Sequence, residues 1–396
     1  MDAYASFRSR EYRLLVFATF LSSFGIQALG VAVAWDLYLQ THSALVLGNV
    51  GFVQVAPFLA LSLFAGHFAD RRDRRRIMLA TQALLLAASL LLALAPRSVA
   101  LIYGCLGLIA TARALQGPAR SAVLPQVVPP HHLHNAITWN SSAFEIASVS
   151  GPALAGILIA ALGSRTVYGV QCGCALLVLA CFWLMRVRSE PRVESPAGAG
   201  DALLEGLGFV WREKRMLSTI SLDLFAVLFG GAVALLPIFA VDILHTGARG
   251  LGWLRAAPSI GAAAMAFLLA HTPRIRRAGA VLLFAVSLFG AATIGFGFAR
   301  TLPLAFAMLL LTGAFDNVSV VLRQSLLQAD TPAHLRGRVM AVNGIFINCS
   351  NQLGAVESGW TAAWLGPVGS VVGGGIATLA VVGGFALVKP LRRWRQ

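Results

Sequence analysis

The sequence predicts an all-α integral membrane protein with twelve spanning helices in two pseudosymmetric six-helix bundles. Three observations carry this. The 396 residues are 58% hydrophobic and only 12% charged, with a mean hydropathy of +0.76, whereas soluble domains carry about 25% charged residues. Twelve apolar stretches each reach the ~20 residues that a bilayer-crossing helix needs. The two halves of the chain also repeat one another.

The spans are expected near 13–38, 44–68, 77–95, 99–119, 136–162, 166–186, 216–242, 250–271, 278–298, 302–323, 338–364 and 367–388. Turns between them are short except for 187–215, which is polar and contains Pro, Gly and Ser. This stretch divides the chain into a first bundle (1–186), a cytoplasmic linker (187–215) and a second bundle (216–396). The second part of the linker, from Asp201 as N-cap, reads as a short amphipathic helix lying on the membrane surface.

Charge placement sets the orientation. With the N-terminus taken as cytoplasmic, 26 of the 31 Lys and Arg fall in cytoplasmic segments or the adjoining helix ends. Only Arg97, Arg165, Arg249, Arg255 and Arg300 fall outside. Positive charge gathers on the cytoplasmic side of membrane proteins, so both termini are expected there. The same bias accounts for the net charge of +15 without any nucleic-acid partner. All five cysteines lie in apolar stretches and read as small core residues. No metal-ligand spacing, HExxH, GxSxG or paired intramembrane Asp motif occurs, so neither an enzyme nor a metal site is expected. The first apolar segment is too long for a cleavable signal and lacks a small-residue cleavage site.

The repeat has a period of 203 residues. Under that shift Arg120 meets Arg323, Leu124 meets Leu327, Pro129 meets Pro332 and His131 meets His334. Asn140 then meets Asn343, Gly151 meets Gly354 and Gly156 meets Gly359. The matches fall after span four and after span ten, the same place in each half. Parallel duplication of six spans is a transporter plan, with the ligand near mid-membrane at the repeat interface.

Between spans two and three lies Gly66-His-Phe-Ala-Asp70-Arg71-Arg72-Asp73-Arg74-Arg75. It resembles the signature loop of the major facilitator superfamily, Gly-x-Leu-Ala-Asp-Arg-x-Gly-Arg-Arg. Asp73 stands where the family has its second glycine, and Phe68 where it has leucine. The equivalent loop of the second half, 271–279, keeps the basic residues but has lost the aspartate. "ARALQG" (112–117) is similar to the Arg-x-x-Gln-Gly element of proton-coupled drug antiporters, and "SGPALAG" (150–156) to the end of the antiporter signature in span five. The stretches following 134, 202 and 330 resemble the enterobactin-exporter-like and drug-efflux branch over nearly the whole chain.

The resemblance implies a secondary transporter exporting an amphipathic small organic molecule, siderophore-like or drug-like, by alternating access in exchange for protons. It implies a bacterial inner membrane, a monomer in contact with lipid, and no cofactor besides the proton gradient. A lipid or lysolipid flippase of the same fold is the alternative. The loop is then a conformational latch of Gly66, Asp70, Arg71, Arg74, Arg75, Arg120 and Arg338. In it Asp70 accepts hydrogen bonds from free amides at the start of span eleven, where an anion is favoured, and biases a two-state equilibrium.

Charges inside a membrane are costly and are read as functional by default. Asp36, Arg113, Glu145, Asp223, Asp242, Arg255, Asp316, Arg323 and Glu357 fall on spans 1, 4, 5, 7, 8, 10 and 11, while spans 3, 6, 9 and 12 carry none in their interiors. The sequence thus separates cavity-facing from lipid-facing helices. At ~1.5 Å per residue, Arg113 and Glu145 both lie roughly 18–20 Å from the outer face, which makes them candidates for an ion pair. Asp316 is the repeat partner of Arg113. Burial disfavours an ionised carboxylate and a nearby arginine favours it. A carboxylate that changes both between two conformations therefore carries a proton across. Asp316 or Glu145 is expected in that role with Arg113 as competing cation, and Asp36 and Asp223 are further candidates. Gln27, Trp35, Trp139, Asn140, Phe144, Phe225, Phe315, Asn317, Asn343 and Asn348 are expected to line the cavity, a mixture suited to an amphipathic organic molecule.

Overall fold

A computed structural model describes residues 4–71, 73–95, 98–186, 199–272, 275, 277–332 and 334–387, with backbone alone for 62–71 and 199–203. Among the described residues the regular structure is entirely helical. The helices are α1 (Arg10–Thr41), α2 (Ala44–Arg71), α3 (Arg74–Leu94), α4 (Val99–Val123), α5 (Leu133–Leu162), α6 (Ser164–Leu184), α7 (Ala199–Arg212), α8 (Lys214–Phe229), α9 (Gly247–Ala270), α10 (Ala278–Phe298), α11 (Leu302–Asp330) and α12 (Arg336–Ala386).

Among the described residues, eleven helical stretches are long and apolar enough to cross a membrane. The last, α12, has 51 residues. At 1.5 Å per residue it is more than twice as long as the ~30 Å hydrocarbon core. It breaks at Gly366, whose φ of 75° and ψ of 162° lie outside helical space. Glycine reaches this φ without a Cβ penalty, and Pro367 cannot continue the hydrogen-bond ladder backwards. The chain therefore crosses twelve times, with the final break where the sequence places it. Large side chains such as Trp183, Phe267 and Phe284 remain exposed. In water such patches would drive association; here lipid is their solvent.

Local chemistry explains the helix ends. Asp73 caps α3, its carboxylate accepting from the amides of Arg75 at 2.8 Å and Arg76 at 3.4 Å. Ser98 caps α4 through the Leu101 amide at 3.2 Å. Gly163, at φ 84°, ends α5 and starts α6.

Two expectations are corrected. Span seven is not one α-helix. After α8 the chain passes through a 3-10 turn (Ala232–Leu235) and a π segment (Phe239–Ile243). The interruption begins at Gly230 and Gly231, where a Cβ would lie 2.4 Å from the Phe289 ring and 2.6 Å from the Gly354 carbonyl. Only glycine permits that approach. The linker helix α7 starts at Ala199, so Asp201 sits in its first turn instead of capping it. An acid there still meets the positive end of the helix dipole. The first part of the linker, 187–198, and the terminal Lys389, Arg392, Arg393 and Arg395 lie outside the described residues.

By contacts the chain divides into two units, residues 1–36 with 56–199, and residues 37–55 with 200–396. In the first, α3 packs on α4 and α6. Gln116 of α4 donates to Gln82 and Thr81 of α3, and Gln82 donates to the Ala175 carbonyl of α6. Gly151 brings α5 against α1, where a Cβ would sit 2.8 Å from the Phe24 carbonyl. In the second, α9 packs on α11, and α10 on α11 and α12. A Cβ at Gly261 or Gly313 would lie 1.8 Å from the Leu310 carbonyl or 1.9 Å from that of Pro258. Residues 37–55 belong here through Tyr38, which donates to Asp242, and through Asn49 and Gln54, which accept from Trp360 and Gln352.

Candidate functional site: a cationic cavity among three helices

Within the first unit, α1, α4 and α5 enclose a cavity of about 640 Å³. Each wall is one helix face. Leu15, Thr19, Ser22, Ser23, Ile26 and Gln27 recur at helical spacing on α1. Arg113, Gln116, Gly117, Arg120 and Ser121 form the α4 stripe, and Asn140, Ser141, Phe144 and Glu145 the α5 face. Thr19 donates to Asn140 at 2.7 Å and Gln27 to Ser148 at 3.3 Å, which ties α1 to α5 along the cavity edge.

The charges in this wall are two guanidiniums and one carboxylate. Among the described residues neither Arg113 nor Glu145 enters an ion pair, although both face the same space. The reason is exposure: both reach into the cavity instead of being packed against one another. Arg120 is half-buried, and its Nη2 is enclosed without a hydrogen-bond acceptor among the described residues.

Six of the sequence-selected residues thus meet in one place: Gln27, Arg113, Arg120, Asn140, Phe144 and Glu145. Trp139 does not line this cavity. Its ring stacks on Tyr4 at 5.5 Å and meets Phe7 edge-on at 5.3 Å, closing a buried cluster. Trp35 is half-buried on α1. Asp36 is buried and accepts from Ser164 at 2.6 Å and Tyr168 at 2.8 Å. In the second unit Asp223 is buried, ion-paired with Arg323, and accepts from Ser319 at 3.0 Å. Phe225 stacks on Phe229. Phe315, Asp316 and Asn317 lie half-buried side by side on α11, and Asn343 and Asn348 lie on α12. The Oδ1 atoms of Asn317 and Asn343 are enclosed without a donor among the described residues.

Of the latch residues, the side chains of Gly66, Asp70 and Arg71 lie outside the described residues. Arg74 opens α3. Arg75 donates to the Phe182 and Trp183 carbonyls at the C-terminal end of α6, where a cation is favoured. Arg338 is ion-paired with Glu205 of α7, and Gly206 lets α7 sit directly on the Arg338 backbone.

The wall residues missed in the sequence are the apolar Leu15, Ile26 and Leu124 and the small polar Thr19, Ser22, Ser23, Ser121 and Ser141. The signal of the polar ones is weak but physical: small polar residues spaced three and four apart in otherwise apolar spans share one face.

Twelve crossings, charges confined to part of the helices and a polar cavity walled by membrane helices define a multi-pass membrane transporter, not an enzyme. The family profile described as transmembrane secretion effector matches residues 1–396. The chain belongs to that family, which is of the major facilitator type. It is 30% identical over 403 residues to the enterobactin exporter EntS of Citrobacter koseri, covering 97% of this chain and 93% of that one. It is 27% identical over 360 residues to the multidrug efflux pump Tap of Mycolicibacterium fortuitum, covering 87% and 88%. Among solved structures, a peptide transporter POT mutant superposes with a TM-score of 0.78 at 13% identity over 98% and 96% of the two chains. A bacterial homologue of the human lysosomal transporter Spinster gives 0.76 at 17% over 96% of each. These last two similarities speak to the fold alone.

Proposed function

We propose that the protein exports an amphipathic small organic molecule from the bacterial cytoplasm across the inner membrane, by alternating access coupled to proton entry. The observation that carries this is the cavity of about 640 Å³ lined by hydroxyls, amides, Arg113, Glu145 and Phe144, the size and mixture that suit a drug-sized ligand. The relatives' names, an enterobactin exporter and a multidrug efflux pump, support the outward direction. In this reading both termini are cytoplasmic, two six-helix bundles flank the linker 187–215, and the monomer works in contact with lipid. Asp316, Glu145 and Arg113 handle the proton, with Asp36 and Asp223 as reserves, and the 66–75 loop with Arg120 and Arg338 latches one conformation.

The test is transport by the full chain in proteoliposomes with an imposed pH gradient, offering a labelled catecholate, a cationic dye and a lysolipid in parallel. Gradient-driven movement of either of the first two supports an exporter. Movement of the lysolipid alone would replace this reading with a flippase.

A further inference from the structure

We propose that the cavity among α1, α4 and α5 holds the anionic head of the exported molecule, a carboxylate or other organic oxyanion gripped between Arg113 and Arg120. The proposal rests on the exporter reading and adds the charge of the cargo. Arg113 and Arg120 are seven residues apart on α4, two turns and about 10 Å along the axis, so they form two prongs on one face. Between them Gly117 leaves the wall open, since a Cβ there would meet nothing within 4 Å. Glu145 offsets only one of the two charges. The enclosed Arg120 Nη2 has no acceptor among the described residues, and a guanidinium nitrogen out of water needs one. An oxyanion supplies acceptors that the planar fork grips in bidentate fashion.

The remaining wall says what else the molecule carries. Ser22, Ser23 and Ser141 offer hydroxyl donors, and Ile26 and Phe144 an apolar surface. An inorganic anion would leave most of the cavity unfilled. An organic cation would face two like charges against a single carboxylate. An amphipathic organic anion satisfies all of these groups.

Two dyes with the same xanthene ring and opposite charge test this: fluorescein, an anion, and rhodamine 6G, a cation. Binding to the detergent-solubilised full chain is read by fluorescence anisotropy. Fluorescein should bind at least tenfold tighter than rhodamine 6G. Arg113→Gln and Arg120→Gln should each weaken fluorescein at least tenfold while changing rhodamine 6G less than threefold. Gly117→Leu, which puts a side chain into a gap where a Cβ meets nothing within 4 Å, should also abolish fluorescein binding, with size-exclusion profiles unchanged in all variants. Equal binding of the two dyes, preference for rhodamine 6G, absence of fluorescein binding, or fluorescein binding indifferent to the three substitutions would each overturn the proposal. So would displacement of fluorescein by phosphatidylglycerol but not by soluble carboxylates, which would assign the site to a lipid headgroup. Export of rhodamine 6G alone would leave the exporter reading standing and remove this one. Fluorescein bound as expected, with neither dye transported, would do the reverse.

Discussion

Asp223 and Arg323 form an ion pair buried in the second unit, and one repeat earlier the same frame holds Phe20 and Arg120. The arginine is kept in both halves and the acid in only one. In the second unit the guanidinium is 2% exposed, and Ser319 also donates to the carboxylate. In the first, the equivalent arginine borders an open cavity. The duplicated position has thus become a helix-to-helix tie in one half and a cavity wall in the other.

The tie predicts a stability effect. Asp223→Ala leaves Arg323 buried without a counter-charge and should cost about 3–5 kcal/mol, read as a lower Tm in detergent micelles. Asp223→Leu with Arg323→Met removes both charges and should recover most of the loss. A double variant as unstable as the single one would show that the pair contributes by more than charge balance.

The two aspartates of the 66–75 loop should behave differently. Asp73 is a helix cap, so Asp73→Ala should cost about 1 kcal/mol and leave transport largely intact. In the proposed latch Asp70 is the acid, so Asp70→Asn should cripple transport at normal membrane levels. Initial rates of dye efflux from cells with matched expression separate the two. Wild-type efflux in Asp70→Asn would end the latch assignment.

Close packing and open space make a matched pair of glycine substitutions. A Cβ at Gly151 would lie 2.8 Å from the Phe24 carbonyl, so Gly151→Ala must push α5 from α1, at about 1–3 kcal/mol. Gly117→Ala meets nothing within 4 Å and gains helix propensity of about 1 kcal/mol. Thermal unfolding should therefore move down for the first and not for the second. Equal shifts would mean that α1 and α5 are not in rigid contact at Gly151.

Most of the fold was legible because lipid imposes a simple rule: a long apolar run must be helical and must cross. Even the break at Gly366 stood in the sequence as Gly-Pro. The break after Phe229 did not, because two glycines inside an apolar run carry no stop signal of their own, and what demands them is the approach of Phe289 and Gly354. For the cavity, charge was the readable signal: Arg113 and Glu145 stand out in apolar helices, and both reach the same space. Trp139 lies outside this cavity because aromatic character does not say which way a side chain faces, and here its ring packs on Tyr4 and Phe7. The partnership of Arg338 with Glu205 was invisible because nothing in the spacing sets how α7 docks.

Asp316 carries the last prediction. It stands 203 positions after Arg113 on the matching helix of the second half, with opposite charge. It is half-buried, as are its chain neighbours Phe315 and Asn317, and it enters no ion pair among the described residues. A carboxylate inside a membrane helix is costly unless it is paired or neutralised, and a coupled exporter needs one acid that loads a proton on one side and unloads it on the other. Asp316→Asn is permanently neutral, so it should lose transport driven by a pH gradient yet keep dye binding and downhill exchange of labelled for unlabelled dye. Glu145→Gln should keep gradient-driven transport. Arg113→Lys should be impaired as well, because lysine lacks the planar fork. Gradient-driven transport, measured in proteoliposomes, that survives Asp316→Asn and is lost in Glu145→Gln would move the proton to Glu145, inside the cavity that Arg113 and Arg120 line.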